Sequence, residues 1–169
     1  YISGPIGNER LQKLLGVSVT GITEHDFTYM SPTEKGRTLF EGFEKTIPLT
    51  IDMPQVEIEI EDDADLQVLA TQTLPYTMTN TEQFAAIHSN PPGIYTEKPC
   101  AILKNVGESK IIWVAAPIEL AKPYMSRQVF RRMIQSLEEK EYFVSNAPKF
   151  VEVVNWEKEG FSYFAILNE

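Results

Sequence analysis

The run Val56-Glu57-Ile58-Glu59-Ile60-Glu61 alternates apolar and acidic side chains without a break. A period of two is the signature of a strand with one buried face and one wet face, and no helix tolerates it. The chain must therefore build a half-exposed sheet at this point. A second run, Ile111-Ile112-Trp113-Val114-Ala115-Ala116, is apolar throughout. Such a strand belongs inside a sheet, covered on both faces, and it buries Trp113. The two runs together demand a layered structure with at least one interior and one bordering strand.

The segments around them fill in the layers. In Asn8-Glu9-Arg10-Leu11-Gln12-Lys13-Leu14-Leu15-Gly16, Asn8 is an N-cap and Leu11, Leu14 and Leu15 form an apolar stripe. Gly16 supplies the left-handed stop of a short helix. Short β-branched and aromatic runs follow at residues 17–22 and 27–30, and the polar stretch 31–38 reads as a loop. Residues 66–72 are expected to pair with 56–61 as an antiparallel hairpin across an Asp-rich turn. Residues 100–106 and 110–116 flank another turn. After Pro123 a helix is expected, N-capped by Ser126, with Val129, Phe130, Met133, Ile134 and Leu137 on one stripe and Arg127, Arg131 and Arg132 largely off it. Residues 149–156 and 161–167 form a closing β-hairpin around a Glu-Gly turn. The expected class is α/β, a mixed sheet with flanking helices, antiparallel additions and a C-terminal β-hairpin.

Charge and composition exclude several roles. Twenty-four acidic against 15 basic residues, a formal net charge of −9, argue against a nucleic-acid surface or an anionic membrane as partner. No run of eighteen apolar residues occurs, as a membrane-crossing helix requires. The 43 % hydrophobic and 11 % aromatic content belongs to a chain that folds. A single Cys100 excludes an internal disulfide, fits a reducing, cytoplasmic compartment, and reads as a buried structural thiol at the head of a strand. The start at Tyr1-Ile2-Ser3-Gly4, without Met, reads as a strand end cut from something longer.

The chain carries no complete catalytic signature. It lacks G-x-S-x-G, S-x-x-K, H-E-x-x-H, C-x-x-C, the phosphate-binding loop and the dinucleotide fingerprint. His25 stands between Glu24 and Asp26, but consecutive strand residues point to opposite faces, so these three converge on a metal or form a base site only if the segment turns. The acidic run 57–65 lacks the central Gly and distant Glu of a calcium loop. No cofactor is implied. The stretch Ala85-Ala86-Ile87-His88-Ser89-Asn90-Pro91-Pro92-Gly93 reads as a rigid loop, its prolines excluded from helix and ladder. His88, Asn90, Tyr95 and Glu97 are ligand-binding candidates on or beside it, and Trp156 is an exposed aromatic candidate for stacking on a sugar ring. The plain alternative is a structural turn in which His88 bonds backbone and Asn90 caps the bend.

The order of residues 11–21, 27–30, 47–51, 69–77, 85–119 and 143–156 resembles the later part of the β-galactosidase trimerisation domain. The version meant is the one in multidomain bacterial proteins called hypothetical glycoside hydrolases, where it follows an α-amylase-like barrel. Leu14-Leu15-Gly16, His88-Ser89-Asn90-Pro91-Pro92 and the strand ending Ile111 to Ile118 carry the likeness. One departure is Gly107-Glu108-Ser109-Lys110, where that family reads Gly-Lys-Gly-Lys. The resemblance implies a truncated glutamine-amidotransferase-like, flavodoxin-like domain at 1–122, without its catalytic Cys and His. Residues 123–169 then begin a small C-terminal β domain. It further implies a noncatalytic accessory and oligomerisation role, with the rest of the parent chain, its barrel domain, and further copies of itself as partners. Carbohydrate is a possible ligand, and a carbohydrate-binding module is the alternative role.

Overall fold

A computed structural model describes residues 1–25, 27–61, 65–77, 82–85, 90–121, 123–137, 145–148 and 151–168. The elements run β1 (Ile2–Ser3), α1 (Glu9–Leu15), β2 (Val17–Ile22), β3 (Thr28–Pro32), β4 (Leu49–Ile51), β5 (Val56–Ile60), β6 (Leu66–Pro75), β7 (Pro92–Val106) and β8 (Ser109–Val114). A 3-10 turn at Ile118–Leu120 leads to α2 (Tyr124–Leu137), then β9 (Val151–Lys158) and β10 (Phe161–Asn168). The chain divides into two compact units, Tyr1–Leu137 and Glu138–Glu169.

The main sheet of the first unit has the order β1-β8-β7-β6-β3-β4. It is mixed, since β1 runs parallel to β8 and every other pairing is antiparallel. With its flanking helices and the β9–β10 hairpin, this is the expected α/β class. No helix among the described residues is long and apolar enough to cross a membrane.

Local signals act where the sequence places them. The Asn8 carboxamide oxygen accepts from the Arg10 amide at 2.8 Å, and Gly16 ends α1 at φ 69°. β8 lies between β1 and β7, with Ile112, Trp113 and Val114 fully buried. The Trp113 indole N–H donates to the Gly4 carbonyl at 3.0 Å, so its polar edge is satisfied inside the core. Cys100 is buried as expected, but it lies within β7 rather than at a strand head.

Three expectations are corrected. β5 pairs with β2, not with residues 66–72, which lie between β3 and β7 as β6. The cause is long-range: β5 must put Val56 and Ile58 into the core, and the Val56 amide donates to the Ala115 carbonyl at 2.9 Å at the end of the buried apolar run. Ser126 is no cap. It lies inside α2, fully buried with a hydroxyl that finds no partner, because the helix begins at Tyr124. The prolines are not outside the ladder either, since Pro92 opens β7 opposite Pro75. A strand's first residue tolerates the missing N–H, and the Pro91 carbonyl still accepts from the Tyr76 amide at 2.7 Å. Val129 and Met133 of α2 are fully buried in the core of the first unit, Tyr1–Leu137.

Candidate functional site

The β6–β7 ladder ends in a clamp made by Asn90. Its carboxamide oxygen accepts from the Thr77 amide at 2.9 Å, and its NH₂ donates to the Thr77 carbonyl at 2.8 Å. The side chain thus imitates one more rung of backbone pairing. The Tyr29 hydroxyl donates to the Asn90 carbonyl, and burial pushes the Tyr29 phenol above its ordinary range. Gly93 lets β6 come close: a Cβ there would stand 2.5 Å from the Tyr76 Cα. Asn90 is therefore committed to backbone at both amide atoms, which is the cap reading of this residue. His88 lies outside the described residues.

Tyr95 follows on β7, its ring partly exposed, with the Lys45 ammonium 5.4 Å from the ring centre. Lys45 also lines a groove of about 900 Å³ in the turn between β3 and β4, together with Thr33, Glu34, Arg37, Glu41 and Phe43. Arg132 of α2 braces this turn, donating to the Glu41 carbonyl at 3.2 Å and its carboxylate at 2.7 Å. Of the groove residues, Thr33, Glu34 and Arg37 fall in the stretch that reads from sequence as loop, and Glu41, Phe43 and Lys45 lie beyond it. Their only signal was six charges in the 33–45 stretch, which any solvated loop carries.

Glu97 lines a smaller hollow of about 440 Å³ with Ile58, Glu59, Ile60, Lys98 and Pro99. Beside it Lys98 meets Glu57 at 2.7 Å, so one of the three carboxylates expected in water is held against β7. Trp156 is in the second unit, on β9, its ring stacked on Tyr163 with centroids 5.6 Å apart and planes 11° apart. The structure places Asn90, Tyr95 and Glu97 along one strand and the segment leading into it. Trp156 belongs to a separate body.

A fourth arrangement holds a carboxylate between hydroxyls. Tyr1 and Ser3 donate to the two oxygens of Glu119 at 2.9 and 2.6 Å, and Tyr1 packs edge-on against Phe130 of α2. Burial first, then the Glu119 hydrogen bond and charge, hold the Tyr1 phenol far above its usual range. The contact ties β1 to the turn after β8 and has the form of a structural pin. Among the described residues, no group of three or more His, Cys, Asp or Glu side chains is placed to hold a metal ion.

No protein-family model matches the chain, and no curated protein sequence matches it. Among solved structures it is similar to a β-galactosidase from Rahnella sp. R3, with 15 % identity and a TM-score of 0.53. The likeness covers 89 % of this chain and 19 % of that one. At this identity it is a likeness of fold: the chain has a β-galactosidase-like fold and spans 19 % of the length of the enzyme it matches.

Proposed function

We propose that this chain is a noncatalytic accessory and assembly domain of a bacterial carbohydrate-active, glycoside hydrolase-like protein. The observation that carries the reading is the shared fold with a stretch amounting to 19 % of a β-galactosidase, over 89 % of the present chain. In this reading residues 1–122 are part of a trimerisation-type, amidotransferase-like domain, residues 123–169 begin a small β domain, and the bond-breaking carboxylates reside on a barrel elsewhere in a longer, cytoplasmic polypeptide. The partners are that barrel and further copies of the chain.

The site supports this division of labour. Asn90, the described polar group of the Pro-Pro loop, uses its carboxamide to extend a ladder, and the half-buried Glu119 cluster ties β1 to the turn after β8. The test is sedimentation of the parent protein with and without residues 1–137, together with a chromogenic galactoside assay on the 169-residue chain alone. A smaller assembly on deletion, with no turnover by the chain, is expected. A parent that assembles unchanged, or turnover by the isolated chain, refutes the reading.

A second reading, carbohydrate binding, rests on the exposed rings of Tyr95 and Trp156. Titration with galactosides and glucans, following tryptophan fluorescence, separates the two: a saturable change in wild type that Trp156→Ala abolishes establishes binding.

A further inference from the structure

The β9–β10 hairpin is apolar where it should be wet. From its register, Glu152, Val154, Trp156 and Lys158 share one face with their partners Leu167, Ala165, Tyr163 and Phe161. On that face Val154 is 39 % exposed, Trp156 46 %, Tyr163 42 %, Phe161 67 % and Leu167 51 %. A two-stranded hairpin is marginally stable alone, and a contiguous apolar patch of this kind marks a surface to be covered.

The pattern on the face is self-complementary. Its midpoint is the Asn155–Phe164 pair. A two-fold axis through that midpoint, lying parallel to the face and perpendicular to the strands, sends Lys158 onto Glu152 of a second copy, and Glu152 onto its Lys158. The same operation lays Trp156 over Val154, Tyr163 over Ala165 and Phe161 over Leu167. Large rings meet small or flexible side chains, as interdigitating sheet faces require, and each end pairs opposite charges. An operation that stacked turn on turn, a two-fold along the strands, would instead set Lys158 over Phe161 and Glu152 over Leu167, leaving every charge against an apolar side chain.

We propose that this face is a self-docking surface whose occupant is the same face of a second copy of this chain, in an isologous, antiparallel arrangement. The inference goes beyond the accessory-domain reading, because it assigns a contact within the second unit and uses no residue of 1–137.

Sedimentation velocity on the 169-residue chain across a concentration series tests it. The wild type is expected to dimerise. Glu152→Lys and Lys158→Glu each turn two attractive pairs repulsive and weaken the dimer roughly tenfold, while the double exchange restores it. Val154→Asp abolishes association, and circular dichroism of each variant distinguishes loss of docking from loss of fold. A chain that stays monomeric at every soluble concentration overturns the proposal. So does a dimer indifferent to the single exchanges, or one that the double exchange fails to restore. Saturable quenching of Trp156 by a galactoside without self-association assigns the face to sugar and overturns it as well. Deletion of 1–137 from the parent leaves this contact in place, so its failure and that of the accessory reading are separately visible.

Discussion

Gly36 is the residue on which the groove turn depends, and Gly36→Ala is the sharpest test of how that turn is held. A Cβ added there would lie 1.9 Å from the Leu69 carbonyl oxygen and 2.7 Å from its carbon, both backbone atoms of β6. An ordinary carbon–oxygen contact needs about 3.3 Å, so turn and strand must part by roughly 1.4 Å. The parting is resisted. The Thr33 amide donates to the same Leu69 oxygen at 2.9 Å, the Thr33 hydroxyl to the Val68 carbonyl at 2.7 Å, and the Phe40 amide to the Gly36 carbonyl at 3.0 Å. Phe40, carried by the turn, is fully buried. Overpacking of a rigid site together with one or two lost hydrogen bonds costs about 3 kcal/mol. For a chain of this size that lowers Tm by roughly 6–12 °C. Thermal melts followed by far-UV circular dichroism measure it, with Gly7→Ala as control because no atom lies within 4 Å of a Cβ there. A Gly36→Ala chain melting within about 1 °C of wild type would refute the close-approach argument.

Three further outcomes are expected. Asn90→Ala removes both bonds to Thr77 and should cost about 1–3 kcal/mol in a urea titration, with Asn90→Asp no better because a carboxylate then faces the Thr77 carbonyl; a silent Asn90→Ala would return the residue to the list of free ligands. Stability should fall in alkali. The folded state raises the pKa of Cys100, Tyr1 and Tyr29, all through burial first, so their contribution is complete below the unfolded values of 9.0 for the thiol and 10.0 for the phenols and declines as pH climbs past them. Urea midpoints at rising pH check the sign, and Tyr1→Phe should flatten part of the slope. Cys100, fully buried with its thiol pushed well up, should react with a thiol reagent only at the rate of unfolding; fast labelling of the native chain would contradict its placement.

What the chain's order of residues determined by itself was everything settled over a few neighbours. Asn8 and Gly16 bracket α1 because capping is satisfied within one turn of backbone. The alternation at 56–60 set the two faces of β5, and the apolar run at 111–116 set the interior position of β8. The burial of Cys100 and Trp113 followed from the strands that carry them. The tertiary structure alone decided which strands meet. Nothing local tells β5 to choose β2 over β6; the choice minimises exposed apolar face across segments dozens of residues apart, and loop closure over such distances costs little. The same holds for Asn90, legible as a polar loop residue but made a clamp only when Thr77 arrives opposite it, and for Gly36, whose need for a missing Cβ exists only under Leu69. Ser126 had the right chemistry for a cap and the wrong position, since packing of Val129 and Met133 set where α2 lies. Short-range chemistry is written in adjacent residues, whereas partner choice is a property of the whole buried surface.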